Sequence, residues 1–383
     1  MFTSNIPQTP LELMREAVMA GRDTERPLSV RQRQQILHDL AELQAGQPDL
    51  TNVFLARSVL RCSRSTWSLI QAGKYRGDID RYLRRAVQWM ADRLARAEAP
   101  QADYVPTKIG RYIMKVCQRA WSVPTIGVVV TPSGAGKTAA LMEYARRRGD
   151  RAQYIPAGEA ISTMQGLISE LAGRLHVPVT TRSTSATLYR SVRDALADYY
   201  AAGKGDPFVI IVDEATTLRA RAKNMLRNLH DDPAVRCAVV LADTARLNVD
   251  LNNRSGRALY EQLRSRSGAQ FLMTVDEEIA AEDVRAVADS ILKSLDCKRA
   301  LHRDSYKFLH SLAQAEGKLR NVAYRLHAVH DVAGEVGQAP TYSVAELDFV
   351  ADLVGGKRQL RHEAAPFGRP AKRPPADAAA KVA

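Results

Sequence analysis

Residues 131–138 read TPSGAGKT, and their spacing carries a chemistry. The run fits the phosphate-binding pattern G-x-x-x-x-G-K-[ST] except at its first position, where Thr131 stands in place of Gly. A loop of this kind turns backbone N–H groups inward at a helix N-terminus, where the helix dipole favours anions. Ser133, Gly134, Ala135 and Gly136 supply the loop, Lys137 an ammonium for the terminal phosphates, and Thr138 a hydroxyl for Mg2+. Pro132 is expected to set the turn that the missing glycine would ease, because its φ is fixed. The apolar run IGVVV (126–130) leads straight into the loop and AALMEYARRR follows with helical character.

A second element completes the chemistry. PFVIIVDEA (207–215) is a buried-strand run that ends in two acids. Asp213 is placed to hold the Mg2+ shell, and Glu214 to orient and polarise an attacking water. Strand C-termini are where open α/β sheets bind ligands. The two motifs together predict a nucleotide site with ATP and Mg2+ as cofactors.

Three weaker features follow. CAVVLADTARL (237–247) ends in Asp243 and Thr244, of which Thr244 is the better candidate to hydrogen-bond the water. ALYEQLRSRSG (258–268) puts Arg264 and Arg266 between a helix and a strand, and EGKLRNVAYRL (316–326) puts Arg320 at the head of a helix. Each also has a plain reading, as a capped strand end, solvated arginines or an exposed helix charge. Their order, from Thr107 to Val354, resembles the AAA+ ATPases. The resemblance implies a sensor-1 role for Thr244 and a sensor-2 role for Arg320. It also implies an arginine finger at Arg266, with Arg264 as second candidate, reaching a neighbouring subunit. Such a finger implies a homo-oligomer.

Several elements must position these groups. From residue 104 to about 275, β-type runs (IGVVV, AQYI, FVIIV, CAVVLA, AQFLMTV) alternate with amphipathic helices, predicting an α/β core with a largely parallel sheet. Residues 276–354 read as helix only, the expected lid. The stretch 355–383, rich in Gly, Pro, Ala and basic residues, is expected to be disordered. Residues 1–48 read as an arm whose one helix, VRQRQQILHDLAELQAG, has Val30, Leu37, Leu40 and Leu43 at helical spacing and stops at Gly46.

The block 49–97 is all-helical. Within it, residues 50–85 resemble the helix-turn-helix units of phage repressors, through Leu55, Ala56, Ser63, Ser65, Thr66, Ser68, Gly73 and Lys74. One extra residue lies between Ala56 and Ser63, Arg61 stands where the turn usually has Gly, and Trp67 replaces a small aliphatic residue. Ser63 is expected to cap the second helix. Arg64 and Ser65 would then lie at the end that touches DNA, with Lys74 nearby. A small bundle without DNA contact is the alternative.

Composition agrees with a polyanionic partner. The net charge is +13 over 383 residues. Cys62, Cys117, Cys237 and Cys297 form no C-x-x-C pair, so neither a zinc site nor a disulfide framework is suggested. The first residues lack the order of a signal peptide, and no apolar run is long enough for a bilayer, which predicts a cytoplasmic protein with no membrane partner.

The run YVPTKIGRYIMKVCQRAWSVPTIGVVVTPSGAGKTAAL (104–141) resembles the transposition ATPases of the phage Mu B kind, and AGKYRGDID is similar to their N-terminal domain. The resemblance implies ATP-dependent filaments on double-stranded DNA, with little sequence preference, that deliver target DNA to a transposase. The transposase would in turn stimulate hydrolysis. Arg182, Arg219, Arg221 and Lys223 are further DNA-binding candidates. Competing readings are a helicase loader, an ATP-gated helix-turn-helix regulator, and a nucleotide switch without useful hydrolysis.

Overall fold

The computed structural model describes residues 27–46, 50, 52–98, 104–177, 179, 183–202, 206–252, 263, 265–273, 277–297 and 300–354. Arg182, Arg264 and the stretch 355–383, each given an expectation above, lie outside the described residues. The described residues fall into two compact units. The first takes in the residues before 102 with Met114–Val130 and Leu141–Phe271; the second takes in 104–113, Thr131–Ala140 and the residues from Leu272.

The first unit is built on a five-stranded sheet. Its strands are β1 (Ile126–Val130), β2 (Ala152–Pro156), β3 (Val209–Asp213), β4 (Ala238–Asp243) and β5 (Ser267–Leu272). The spatial order is β2-β3-β4-β1-β5, with β2-β3, β3-β4 and β4-β1 parallel. Strands β1, β3 and β4 are buried along their whole length, which is why they read as unbroken apolar runs. The register pairs Val130 with Asp243 and Asp213 with Ala242, so three strands finish nearly level at their C-terminal ends.

Helices of this unit are α1 (Val30–Gly46), α2 (Asn52–Phe54), α3 (Arg64–Gln71), α4 (Asp80–Glu98), α5 (Lys108–Ser122) and α6 (Lys137–Arg148). They continue with α7 (Met164–Arg174), α8 (Ser185–Ala202), α9 (Ala220–Asp231) and α10 (Ala245–Asn252). Helices α5 and α6 run on into the second unit. One core joins the helical block to the sheet layer: Leu40, Phe54, Trp67 and Trp89 belong to the same buried cluster as Leu171, Tyr199 and Ile210. Phe54 meets Trp89 and Tyr199 edge-to-face, at centroid distances of 6.4 and 5.0 Å, and Tyr199 meets Phe208 at 5.3 Å. The α1 helix belongs to this body too, burying Ile36, Leu40 and Leu43. Val30, expected on that apolar face, is 69% exposed, because the buried stripe begins a turn later.

The second unit adds α11 (Ala281–Ser294), α12 (Arg303–Gln314), α13 (Lys318–Glu335) and α14 (Val344–Val354). Two helix N-termini here are closed by side chains. Asp283 accepts the Lys108 N–H at 2.8 Å and so caps α5. Ser343 and Glu346 form a reciprocal capping box at α14, with contacts of 3.1 and 3.3 Å. Among the described residues no helix is long and apolar enough to cross a membrane.

Candidate nucleotide site and helix-turn-helix face

The loop 131–136 leaves β1 and feeds directly into α6, which begins at Lys137. Gly134 and Gly136 have φ of +79° and +88°, the left-handed region that favours glycine. Thr131 is fully buried, and its hydroxyl makes no hydrogen bond. Ala135 is also buried, whereas Ser133 and Thr138 are exposed and Lys137 is half-buried. The loop packs on the start of α13. A Cβ on Gly134 would stand 1.9 Å from the Gly317 carbonyl oxygen, and Arg320 donates to the Ser133 hydroxyl at 3.2 Å. Gly317 and Lys318 both have positive φ, and Lys318 turns inward to donate to the Glu277 carbonyl at 2.9 Å. This double left-handed turn presents Arg320 to the loop.

The acids at the strand ends are held by a separate network. Asp213 is buried, and its carboxylate accepts the Tyr154 hydroxyl at 3.1 Å and the Glu214 N–H at 3.0 Å. Glu214 is exposed with φ +56°, a conformation that a non-glycine residue holds only when its surroundings impose it. The imposing contacts come from Thr217, whose N–H and hydroxyl both donate to the Glu214 carbonyl, at 3.0 and 2.9 Å. One turn away, Asp243 accepts the Thr216 N–H at 2.8 Å, the Thr216 hydroxyl at 2.5 Å and the Thr244 N–H at 2.6 Å. Asp243 therefore ties the Glu214 turn to the end of β4. Thr244, half-buried, donates its own hydroxyl to the same carboxylate at 3.2 Å. Tyr154, Thr216 and the tying role of Asp243 had no sequence signal, because strand register decides who stands beside whom.

Arg266 stands at the entry to β5, its backbone carbonyl accepting the Ile126 N–H at 3.0 Å and also the Thr125 hydroxyl. Its guanidinium pairs with Asp231 at the end of α9, at 2.5 Å.

The departures from the repressor-like pattern are absorbed locally. After α2 the chain runs as a π-helix over Leu55–Leu60, the device that fits one extra residue into a helix. Arg61 then adopts φ +55° at the turn, the conformation usually left to Gly. Its side chain donates to the Leu175 carbonyl at the end of α7. Burial lowers the Arg61 pKa, opposed by the nearby Tyr199 and Asp198. Ser63 caps α3, accepting the Thr66 N–H at 3.0 Å, and Ser65 shares a hydroxyl contact with it at 2.7 Å. Trp67 is buried and donates to Asn52 at 3.0 Å. Arg64, Ser65 and Lys74 are exposed. Arg85 donates to the Leu60 carbonyl at 2.9 Å and closes the π-helix end.

Arg219 and Arg221 are exposed at the start of α9. Arg221 lines an open groove of about 360 Å³ with Met164, Tyr189, Arg190, Met225 and Asn228. Lys223 is a correction. It is 2% exposed, because it lies on the face of α9 that buries Ala222, Leu226 and Leu229, and it presents no ammonium to an outside phosphate.

Residues 120–249 match the family model described as an AAA domain. These residues form an AAA-type domain. The five-stranded sheet and the glycine loop after β1 are those of the AAA+ P-loop fold. Two solved structures of NtrX from Brucella abortus are similar to the chain. One, in complex with ADP, has a TM-score of 0.41 and 16% identity, covering 78% of this chain and 67% of that one. The other has a TM-score of 0.42 and 14% identity, covering 78% and 69%. The comparison with curated proteins gives no match.

Proposed function

We propose that the chain is an ATP-dependent, largely sequence-nonspecific duplex-DNA-binding ATPase. It assembles on DNA as a filament, captures it as target and delivers it to a transposase. The observation that carries this reading is the Ser63-capped helix α3. Its exposed Arg64 and Ser65 end sits on a block that shares one buried core with strands β1, β3 and β4 in the first unit.

The loop conformation at Gly134 and Gly136, opening onto the N-terminus of α6, fits a polyphosphate. The backbone of 133–136 and the Lys137 ammonium hold the phosphates. Thr138 and Asp213 hold Mg2+, which when bound neutralises charge on the phosphate oxygens. Glu214 orients the attacking water and accepts its proton, with Thr244 as second hydrogen-bond partner. Arg320 senses the terminal phosphate from the lid. Arg266 serves the neighbouring copy after leaving Asp231. Arg64, Ser65, Lys74, Arg219 and Arg221 contact the duplex, chiefly its phosphates. The setting is the cytoplasm.

Negative-stain electron microscopy with a slowly hydrolysed ATP analogue and random-sequence duplex tests this. Continuous helical filaments that need both are expected. Discrete particles at one preferred sequence would replace this reading with a regulator, and closed rings without duplex would replace it with a helicase loader.

A further inference from the structure

Helix α5 carries a feature that neither the glycine loop nor the helix-turn-helix block uses. Its sequence, KIGRYIMKVCQRAWS, holds four cations and no acid. No Asp or Glu occurs anywhere from Tyr104 to Met142. At 3.6 residues per turn, Lys108, Arg111, Lys115 and Arg119 fall within an arc of about 80° and extend along about 16 Å of the axis. All four are exposed, and Tyr112 among them is 43% exposed. A further cation joins this edge from α6. Arg148 donates to Gln118, and its guanidinium lies 3.9 Å from the centre of the Trp121 ring.

Within the helix itself the charges are unfavourably placed. Arg111 and Lys115, and Lys115 and Arg119, are like charges at i,i+4, which repel. Lys108 sits in the first turn, where the helix dipole disfavours a cation. The acceptors of Arg111 and Arg148 are neutral, the Pro106 carbonyl and the Gln118 amide, so these contacts cancel no charge. The acid that meets the helix end, Asp283, is spent on a backbone N–H. A basic amphipathic helix can also serve a lipid surface, but only by burying its apolar face in the membrane. Here that face, with Ile109, Ile113, Val116 and Ala120, is buried in the protein.

We infer that the outer face of α5 is a track for the phosphate backbone of a nucleic-acid duplex, distinct from the helix-turn-helix contacts. A strand carries one phosphate per 3.4 Å of duplex axis, so the stripe spans about five base pairs. This inference rests on the duplex-binding reading above.

The test is the salt dependence of binding to a random-sequence DNA duplex. Each lost phosphate contact makes the slope of log K against log salt shallower by about 0.9. The variant K108Q/R111Q/K115Q/R119Q is therefore expected to lose about 3 to 4 from the slope, with unchanged affinity for a fluorescent ATP analogue and an undiminished Tm. The smaller variant K115Q/R119Q should lose about 2, and serves if the larger one folds poorly. The charge-keeping variant K108R/R111K/K115R/R119K should keep the slope. A slope unchanged in both glutamine variants overturns the track, as does its loss in the charge-keeping variant. Loss of binding to phosphatidylserine vesicles with the duplex slope intact would assign the face to lipid instead. A wild-type protein without salt-dependent duplex binding would overturn the wider functional reading, a separate outcome.

Discussion

Glu214 holds a backbone conformation that costs about 1–3 kcal/mol for a residue with a side chain. Thr217, Asp213 and, through Thr216, Asp243 fix the turn around it. Strain maintained by three flanking residues marks a position where backbone direction matters, next in sequence to the buried Asp213. Glu214→Gln keeps the shape and removes the proton acceptor. Its ATP turnover, read as phosphate release, is expected to fall by about 10²–10⁴-fold, with ATP still bound. Wild-type turnover would take the role away from Glu214. Gly134 is decided by space. A methyl group there meets the Gly317 carbonyl as well as an unfavourable φ, so Gly134→Ala must displace the loop or the start of α13. A strain of about 1–3 kcal/mol corresponds to a loss of nucleotide affinity of about 5- to 150-fold, measurable by calorimetry.

Among the elements, the π-helical turn and α3 show how a departure from the repressor-like pattern is held. Removing the cap with Ser63→Ala should cost about 1 kcal/mol in urea unfolding. Arg61→Gly sets two effects against each other. Glycine relieves the left-handed conformation, worth about 1 kcal/mol, but a charged hydrogen bond to Leu175 worth about 1.5–3 kcal/mol is lost. The lost hydrogen bond outweighs the relieved strain, so the variant should be less stable by about 1 kcal/mol. The start of α4 gives a pH-dependent case. Burial pushes the Asp80 pKa up, but hydrogen bonds from Arg33 and the Leu28 N–H, together with the Arg33 charge, outweigh it and leave the carboxyl below its ordinary value. A depressed folded-state pKa stabilises above the unfolded value, about 3.9, and that contribution is lost as pH falls through the folded value. The stability gap between wild type and Arg33→Met should therefore shrink between about pH 6 and pH 3, and a gap constant over that range would discount the pair.

For the molecule as a whole, the first unit's core is the decisive fact. Phe54 bridges Trp89 of the helical block and Tyr199 of α8, so the block and the sheet layer should unfold together. Phe54→Ala is expected to cost about 3–5 kcal/mol and to lower the melting of both parts equally. Separate transitions, followed by Trp fluorescence and by sheet circular dichroism, would contradict the shared core. Two cysteines report on the same integrity. Cys117 is fully buried and its thiol is pushed up to about 12, and burial pushes Cys237 up as well. Neither should react with a thiol reagent until the protein unfolds, and fast labelling of either in the native state would show an open core.

The sequence by itself determined what short-range physics sets. Apolar runs marked β1 to β4 within a residue, three of them being buried end to end, whereas β5 begins two residues before its run and ends three residues before the run does. The G-K-T core and the two left-handed glycines made the loop legible, and Ser63 and Gly46 marked helix ends because caps act over three or four residues. Only the tertiary structure decided which groups meet across long separations. Arg61 reaches Leu175, Arg266 pairs with Asp231, and Tyr154 stands over Asp213 because β2 lies beside β3. The inward turn of Lys223 and the exposure of Val30 were decided the same way, by which side of each helix found a neighbour. Periodicity shows that a helix has an apolar face, but where that face begins and which long side chains it takes in depend on the surface packed against it.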